Sequence, residues 1–164
     1  MTIVEQIAAS GGHTRGAGYD LVLLAHVLAA LVGFGAIVLA GGYALSLRRP
    51  GPVREPVRRY YRPGVNWAGR ILFLVPVLGV VLMAMSQGDW SFSDRWITIG
   101  LGLWALTALV SETVLWPAER RLQEAVAAPV APADLGRRCL WVAAVSGGAS
   151  VVLVAATVVM VAKP

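Results

Sequence analysis

Three ionisable residues stand inside otherwise apolar stretches of this chain: His26, Arg70 and Glu112. Each costs a few kcal/mol or more to hold in hydrocarbon, so each is a place to look for chemistry. A neutral imidazole at His26 could ligate haem iron or copper. Met83 and Met160 fall at a similar depth on other stretches, and soft thioethers beside an imidazole suit Cu(I). Met85 is close in sequence to Met83, but the two sit about 200° apart around a helix, so both cannot face His26. The candidate cofactor residue is therefore His26, and the candidate metal set is His26, Met83 and Met160. The second histidine, His13, lies outside the apolar stretches, so one chain offers no bis-histidine haem site within the membrane. The competing reading of His26 is a packing residue with its ring hydrogen-bonded.

Arg70 and Glu112 belong together by depth. Arg70 lies a few residues into the second apolar stretch, and Glu112 a few residues before the end of the third. At about 1.5 Å per residue both sit roughly 6–7 Å below the same interface. Side by side on antiparallel helices they would satisfy each other's charge and fix register. Separately, each would snorkel to the nearer surface. Neither is at mid-membrane, where a transported proton or ion would need it. No P-loop, G-x-S-x-G or H-E-x-x-H is present, and no catalytic residue is assigned. Cys139 is the only cysteine, which excludes an internal disulfide and a cysteine-cluster metal site.

The elements that must position these residues are four apolar stretches of 21 to 27 residues: 21–47, 65–86, 96–116 and 139–162. About 20 residues of helix cross a hydrocarbon core. The backbone inside must bond to itself, so these are helices. The expected fold is all-α: an antiparallel four-helix transmembrane bundle with both termini outside. The domain plan is an amino-terminal interfacial segment at 1–19, with a short surface helix over 1–10, and a membrane domain at 20–164. Composition agrees, with 57% hydrophobic and only 14% charged residues.

The orientation follows from the basic residues. Arg48, Arg49, Arg54, Arg58, Arg59 and Arg62 crowd the first connection, and Arg120, Arg121, Arg137 and Arg138 the third. Only Arg15, Arg95 and Lys163 fall on the other side. Basic residues are held in the cytoplasm, so both basic connections face inward. The six arginines of the first connection, with Tyr60 and Tyr61, read as a collar for anionic headgroups, each charge contributing about 1 kcal/mol. Nucleic acid is not the expected partner of this charge. The remaining tryptophans, Trp67, Trp116 and Trp141 among them, read as interfacial belts. Thirteen arginines against one lysine, with abundant Ala, Val and Gly, suggest a bacterial inner-membrane protein.

Small residues give the helices their means of association, since lipid tails supply no hydrophobic drive. Ala29, Gly33, Ala36 and Ala40 form one stripe, and Ala143–Gly147 and Ala144–Gly148 are spaced i, i+4. They serve either the bundle or a second protein. Pro76 should kink the second span, because it cannot bond back to Leu72. A short cytoplasmic helix is expected over 118–127 after Pro117, then a linker over 128–133.

The run L-L-A-H-V-L-A-A-L-V-G-F-G-A, the basic connection, N-W-A-G-R-I-L-F-L-V-P-V-L-G-V-V-L-M, the tryptophan-bearing turn and W-P-A-E-R-R-L together resemble a family of uncharacterised four-helix bacterial integral membrane proteins. That family is similar, distantly, to copper-resistance D-type proteins and membrane protoporphyrinogen oxidases. The resemblance covers about 21–122 and implies a first-helix histidine, here His26. The residues favour a protein without catalytic activity of its own, an accessory or interaction subunit with a membrane-protein partner or a second copy, and no cofactor. The alternative is a haem- or copper-binding redox or metal-handling protein centred on His26.

Overall fold

A computed structural model describes residues 16–49, 52–128 and 133–163. The surface helix expected at 1–10 and most of the linker lie outside them. Four helices are long and apolar enough to cross a membrane: α1 (Ala17–Leu47), α3 (Trp67–Met85), α4 (Arg95–Ala127) and α5 (Leu135–Ala162). A short α2 (Glu55–Tyr60) lies in the first connection, and the described residues include no strand. The protein is an all-helical, four-helix membrane bundle.

The bundle is packed with small residues inside and bulky ones outside. On α1 the buried face is Ala29, Gly33, Ala36, Ile37, Ala40, Gly41 and Ala44, while Leu21, Leu24, Leu28, Leu31 and Val38 are exposed to where lipid would lie. Close backbone approach, and not burial of large side chains, holds such helices together. At Gly33 an added Cβ would sit 2.9 Å from the Leu72 backbone, so this glycine sets the α1–α3 distance. At Gly41 it would collide with Ser146 of α5, whose hydroxyl donates to the Ile37 carbonyl at 2.6 Å. Helix α1 packs closely on α3 and α5, and α5 on α4. Helices α3 and α4 approach less closely and are joined through side chains.

Two prolines shape the helices that carry the charged residues. Pro76 leaves the Leu72 carbonyl without its helical partner, and the strain falls in a 3₁₀ turn at Ile71–Phe73. The indole of Trp104 on α4 donates to that carbonyl at 3.0 Å. Pro117 has the corresponding effect on α4. It cannot donate to the Thr113 carbonyl, and the helix passes through a π turn at Ser111–Leu115.

This corrects the expected separate helix after Pro117. The chain does not break there, because the widened turn absorbs the missing bond and α4 runs on to Ala127. A second correction concerns the first connection. Val57 and Tyr61 are buried in the core, and the Tyr61 hydroxyl donates to the Ala40 carbonyl at 3.4 Å, so this tyrosine closes the bundle and does not sit among headgroups. The six arginines around it are exposed. Trp116 is likewise buried, whereas Trp67 and Trp141 face outward. Helix α1 begins at Ala17, ahead of the boundary expected at residue 20, and α3 begins at Trp67, capped by the Asn66 side chain, which accepts from the Gly69 amide at 3.1 Å.

Gly33 and Gly35 offer a matched test of this packing. Gly33→Ala should lower the melting temperature in detergent, since overpacking a tight contact costs about 1–3 kcal/mol. Gly35→Ala, where a Cβ would meet nothing within 4 Å, should leave it unchanged or slightly raised. Equal melting temperatures for the two variants would contradict the close α1–α3 approach.

Candidate functional site

The looser α3–α4 contact opens a cleft of about 600 Å³ in the half of the bundle away from the arginine-rich connections. Each long helix contributes one face. Tyr19, Leu23, His26, Ala30 and Phe34 come from α1, Val75, Pro76, Gly79 and Met83 from α3, Trp96, Gly100 and Trp104 from α4, and Leu153, Ala156, Thr157 and Met160 from α5. The i, i+3 and i+4 spacing of each set is that of one helix face. From Tyr19 to Phe34 the cleft runs about 22 Å along α1, more than half of a hydrocarbon core about 30 Å thick. Its deep end is closed by Trp104, held against Leu72, with Phe73 edge-on to the indole at 6.0 Å between ring centroids.

His26 lies on the wall of this cleft, packed against Gly79. The imidazole Cε1 is 3.5 Å, and Nδ1 3.9 Å, from where a Gly79 Cβ would stand. Nδ1 is enclosed and makes no hydrogen bond. Most buried polar atoms are hydrogen-bonded, because an orphaned one costs about 1–3 kcal/mol; Nδ1 and the Ser111 hydroxyl are the exceptions among the described residues.

Met83 and Met160 line the same cleft as His26. Gly100 on α4 provides the space that the Met160 side chain fills. Met85 turns the other way and meets Gly18. Among the described residues no group of three or more His, Cys, Asp or Glu could hold a metal. A metal in the cleft would depend on imidazole and thioether.

Four contributors, Trp104, Trp90, Trp96 and Lys163, have no site role legible in the sequence. Trp104 adds a bond where Pro76 costs Leu72 its i+4 partner; that loss is readable from the sequence, but nothing there names the added donor. Trp90 and Trp96 stand edge to face at the mouth, ring centroids 5.9 Å apart, and Lys163 lies over both, 4.6 and 5.3 Å from their centroids. Their convergence depends on α5 ending beside the α3–α4 turn, which no local pattern encodes.

The other half of the bundle is closed. Arg70 Nη1 and Glu112 Oε1 form an ion pair, and the Arg70 guanidinium lies 4.0 Å over the Trp116 ring. Glu112 is on the π turn and reaches Arg70 of α3 from there. Below the pair, Asn66 donates to Glu119 at 3.3 Å and to the Tyr60 hydroxyl at 3.2 Å, and Gln123 donates to the Gly64 carbonyl at 3.4 Å. Glu119 is only 3% exposed. Burial first, and the nearby Glu119 second, push the Tyr60 and Tyr61 phenols well up, so both remain donors. The space left among these groups is about 40 Å³, enough for water and little more.

Residues 20–164 match the family described as predicted integral membrane protein (DUF2269), and the chain belongs to that family. No curated protein and no solved structure matches it.

The Arg70–Glu112 pair is open to a double-mutant cycle. Both side chains are partly exposed, at 34% and 42%, and an unfolded chain in a membrane finds other partners. A coupling of about 0.6–1.7 kcal/mol is therefore expected between Arg70→Gln and Glu112→Gln in detergent melting. Strictly additive losses would mean that the two act independently.

Proposed function

We propose that this member of the DUF2269 family is a cofactor-binding membrane protein, with haem held in the cleft and His26 as its iron ligand. One observation carries the reading: an enclosed imidazole nitrogen without a partner, on the wall of an apolar cleft of about 600 Å³. That volume falls within the roughly 300–1,000 Å³ of small-molecule and cofactor sites. It is far more than a bare copper ion needs, since nitrogen and sulfur donors approach a metal to about 2.0–2.3 Å.

The residues present fit the group. Histidine is a ligand of haem iron, and a methionine thioether from Met83 or Met160 could be a second. A hydrogen bond from one imidazole nitrogen would fix which nitrogen is left for the metal. Indoles at both ends of the cleft give a flat macrocycle apolar surface to lie against. Bound haem would supply one-electron redox chemistry. The chain's own residues bind it, orient it and keep water from it.

In this reading the protein sits in a bacterial inner membrane with the arginine-rich connections in the cytoplasm, Arg48, Arg49, Arg54, Arg58, Arg59 and Arg62 against anionic headgroups, and the cleft opening toward the outer face. A second reading, an accessory subunit or homo-oligomer, is favoured by the outward face of α5. Ala144, Gly147 and Gly148 are exposed there, and a Cβ on either glycine would meet nothing within 4 Å. The two readings are compatible, since a cofactor-bearing subunit can dock through that face.

Two experiments test the proposal. Protein purified in detergent and titrated with haem should show a Soret band saturating near one equivalent, and His26→Ala should weaken binding about tenfold or more. A wild-type protein that takes up no haem, or a His26→Ala variant that binds equally well, would refute it. For orientation, a cysteine at Arg54 on a Cys139→Ala background should be shielded from an impermeant thiol reagent in intact cells, and one at Gln87 should react. The reverse labelling would put the cleft on the cytoplasmic side.

A further inference from the structure

We propose that Lys163 reads an acidic edge of the bound porphyrin, so that the cleft takes its ligand by two ends, iron at His26 and carboxylate at the mouth. This rests on the cofactor reading above and adds to it a selectivity for charged over neutral macrocycles. Lys163 lines the same cleft as His26. Its ammonium is held over Trp90 and Trp96 at 4.6 and 5.3 Å, which fixes a flexible side chain at the mouth. Among the described residues it has no carboxylate partner. Among the described residues lining the cleft it is the only lysine or arginine, and none of them is an acid.

Depth matches this division of labour. His26 lies six residues beyond Asp20, about 9 Å along the helix axis. That is comparable to the distance from a porphyrin's centre to its carboxylates. Lys163 follows the last residue of α5 in a left-handed conformation, φ 48°, which ends the helix at the level of the tryptophan-bearing turn. An acidic group there would lie at the membrane surface, where it stays solvated, while the macrocycle stays in the apolar cleft. A cation already stacked on two indoles loses little freedom when it gains a carboxylate.

The test uses the full chain in nanodiscs of zwitterionic lipid, titrated with iron protoporphyrin IX and with its dimethyl ester and followed by the Soret shift. The wild type should bind the dicarboxylate about tenfold or more tightly than the ester. Lys163→Gln should remove that preference by weakening the dicarboxylate alone, Lys163→Arg should restore it, and added salt should weaken only the charged ligand. Equal wild-type affinities for the two ligands, or a preference that survives Lys163→Gln, would overturn the inference and leave the His26 reading standing. If neither porphyrin binds, both fall together. Lys163 is exposed at a helix end, so its substitution does not threaten the fold.

Discussion

A bilayer interior offers no water to a broken backbone, and the arrangement of this bundle depends on how one break is repaired. Pro76 denies the Leu72 carbonyl its i+4 bond in the middle of α3, leaving it only a shorter 3₁₀-type backbone bond, and Trp104 of α4 donates to it as well, at 3.0 Å. The donor is a long, rigid side chain, so α3 and α4 are tied together at a distance. Gly33 draws α3 against α1 at the same residue, Leu72. One helix is thus held close on one side and at arm's length on the other. The cleft is the space that this leaves on the far side of Trp104.

The two halves of the molecule use the gap differently. Toward the arginine-rich connections it is filled by Phe73, Trp104 and Trp116, stacked edge to face, and closed by Arg70, Glu112 and the hydrogen-bonded set around Glu119. The π turn before Pro117 belongs to that closure, because it carries Glu112. In the other half glycines replace bulk. Gly79 gives His26 its place and Gly100 gives Met160 its place, and what remains is open and apolar. The proposed haem site rests on this arrangement, a closed end and an open end with a single imidazole, built on helices and not on loops.

Much of this architecture is legible in the sequence. Four apolar runs of spanning length specify four membrane helices, and the i, i+4 stripe of Ala29, Gly33, Ala36 and Ala40 names the face α1 buries. The equal depth of Arg70 and Glu112 can be counted along the two spans. The grouping of His26, Met83 and Met160 by depth is also a matter of counting, while their sharing a cleft is a matter of which faces turn inward. What a sequence does not carry is the long-range partner of a weakened group. Pro76 costs Leu72 its i+4 bond, but Trp104 is named only once α3 and α4 are neighbours. Tyr61 and Trp116 look like interfacial aromatics by position, and only the path of the chain back over the bundle end shows that they are covered. The run through Pro117 looks like a boundary, because a proline usually ends a helix; a π turn avoids that by shifting the bond one residue along.

The central claim is that the space bounded by Trp104 and His26 holds a haem, and fluorescence can locate a haem directly. Among the chain's six tryptophans, Trp104 closes the deep end of the cleft and can be kept alone by replacing Trp67, Trp90, Trp96, Trp116 and Trp141 with phenylalanine. Haem added to that variant in nanodiscs should quench the Trp104 emission and saturate at one equivalent per chain. A variant that keeps only Trp141, which faces outward, should be quenched far less. Emission from Trp104 that is unchanged, or that falls only in proportion to haem dissolved in the lipid, would contradict the account.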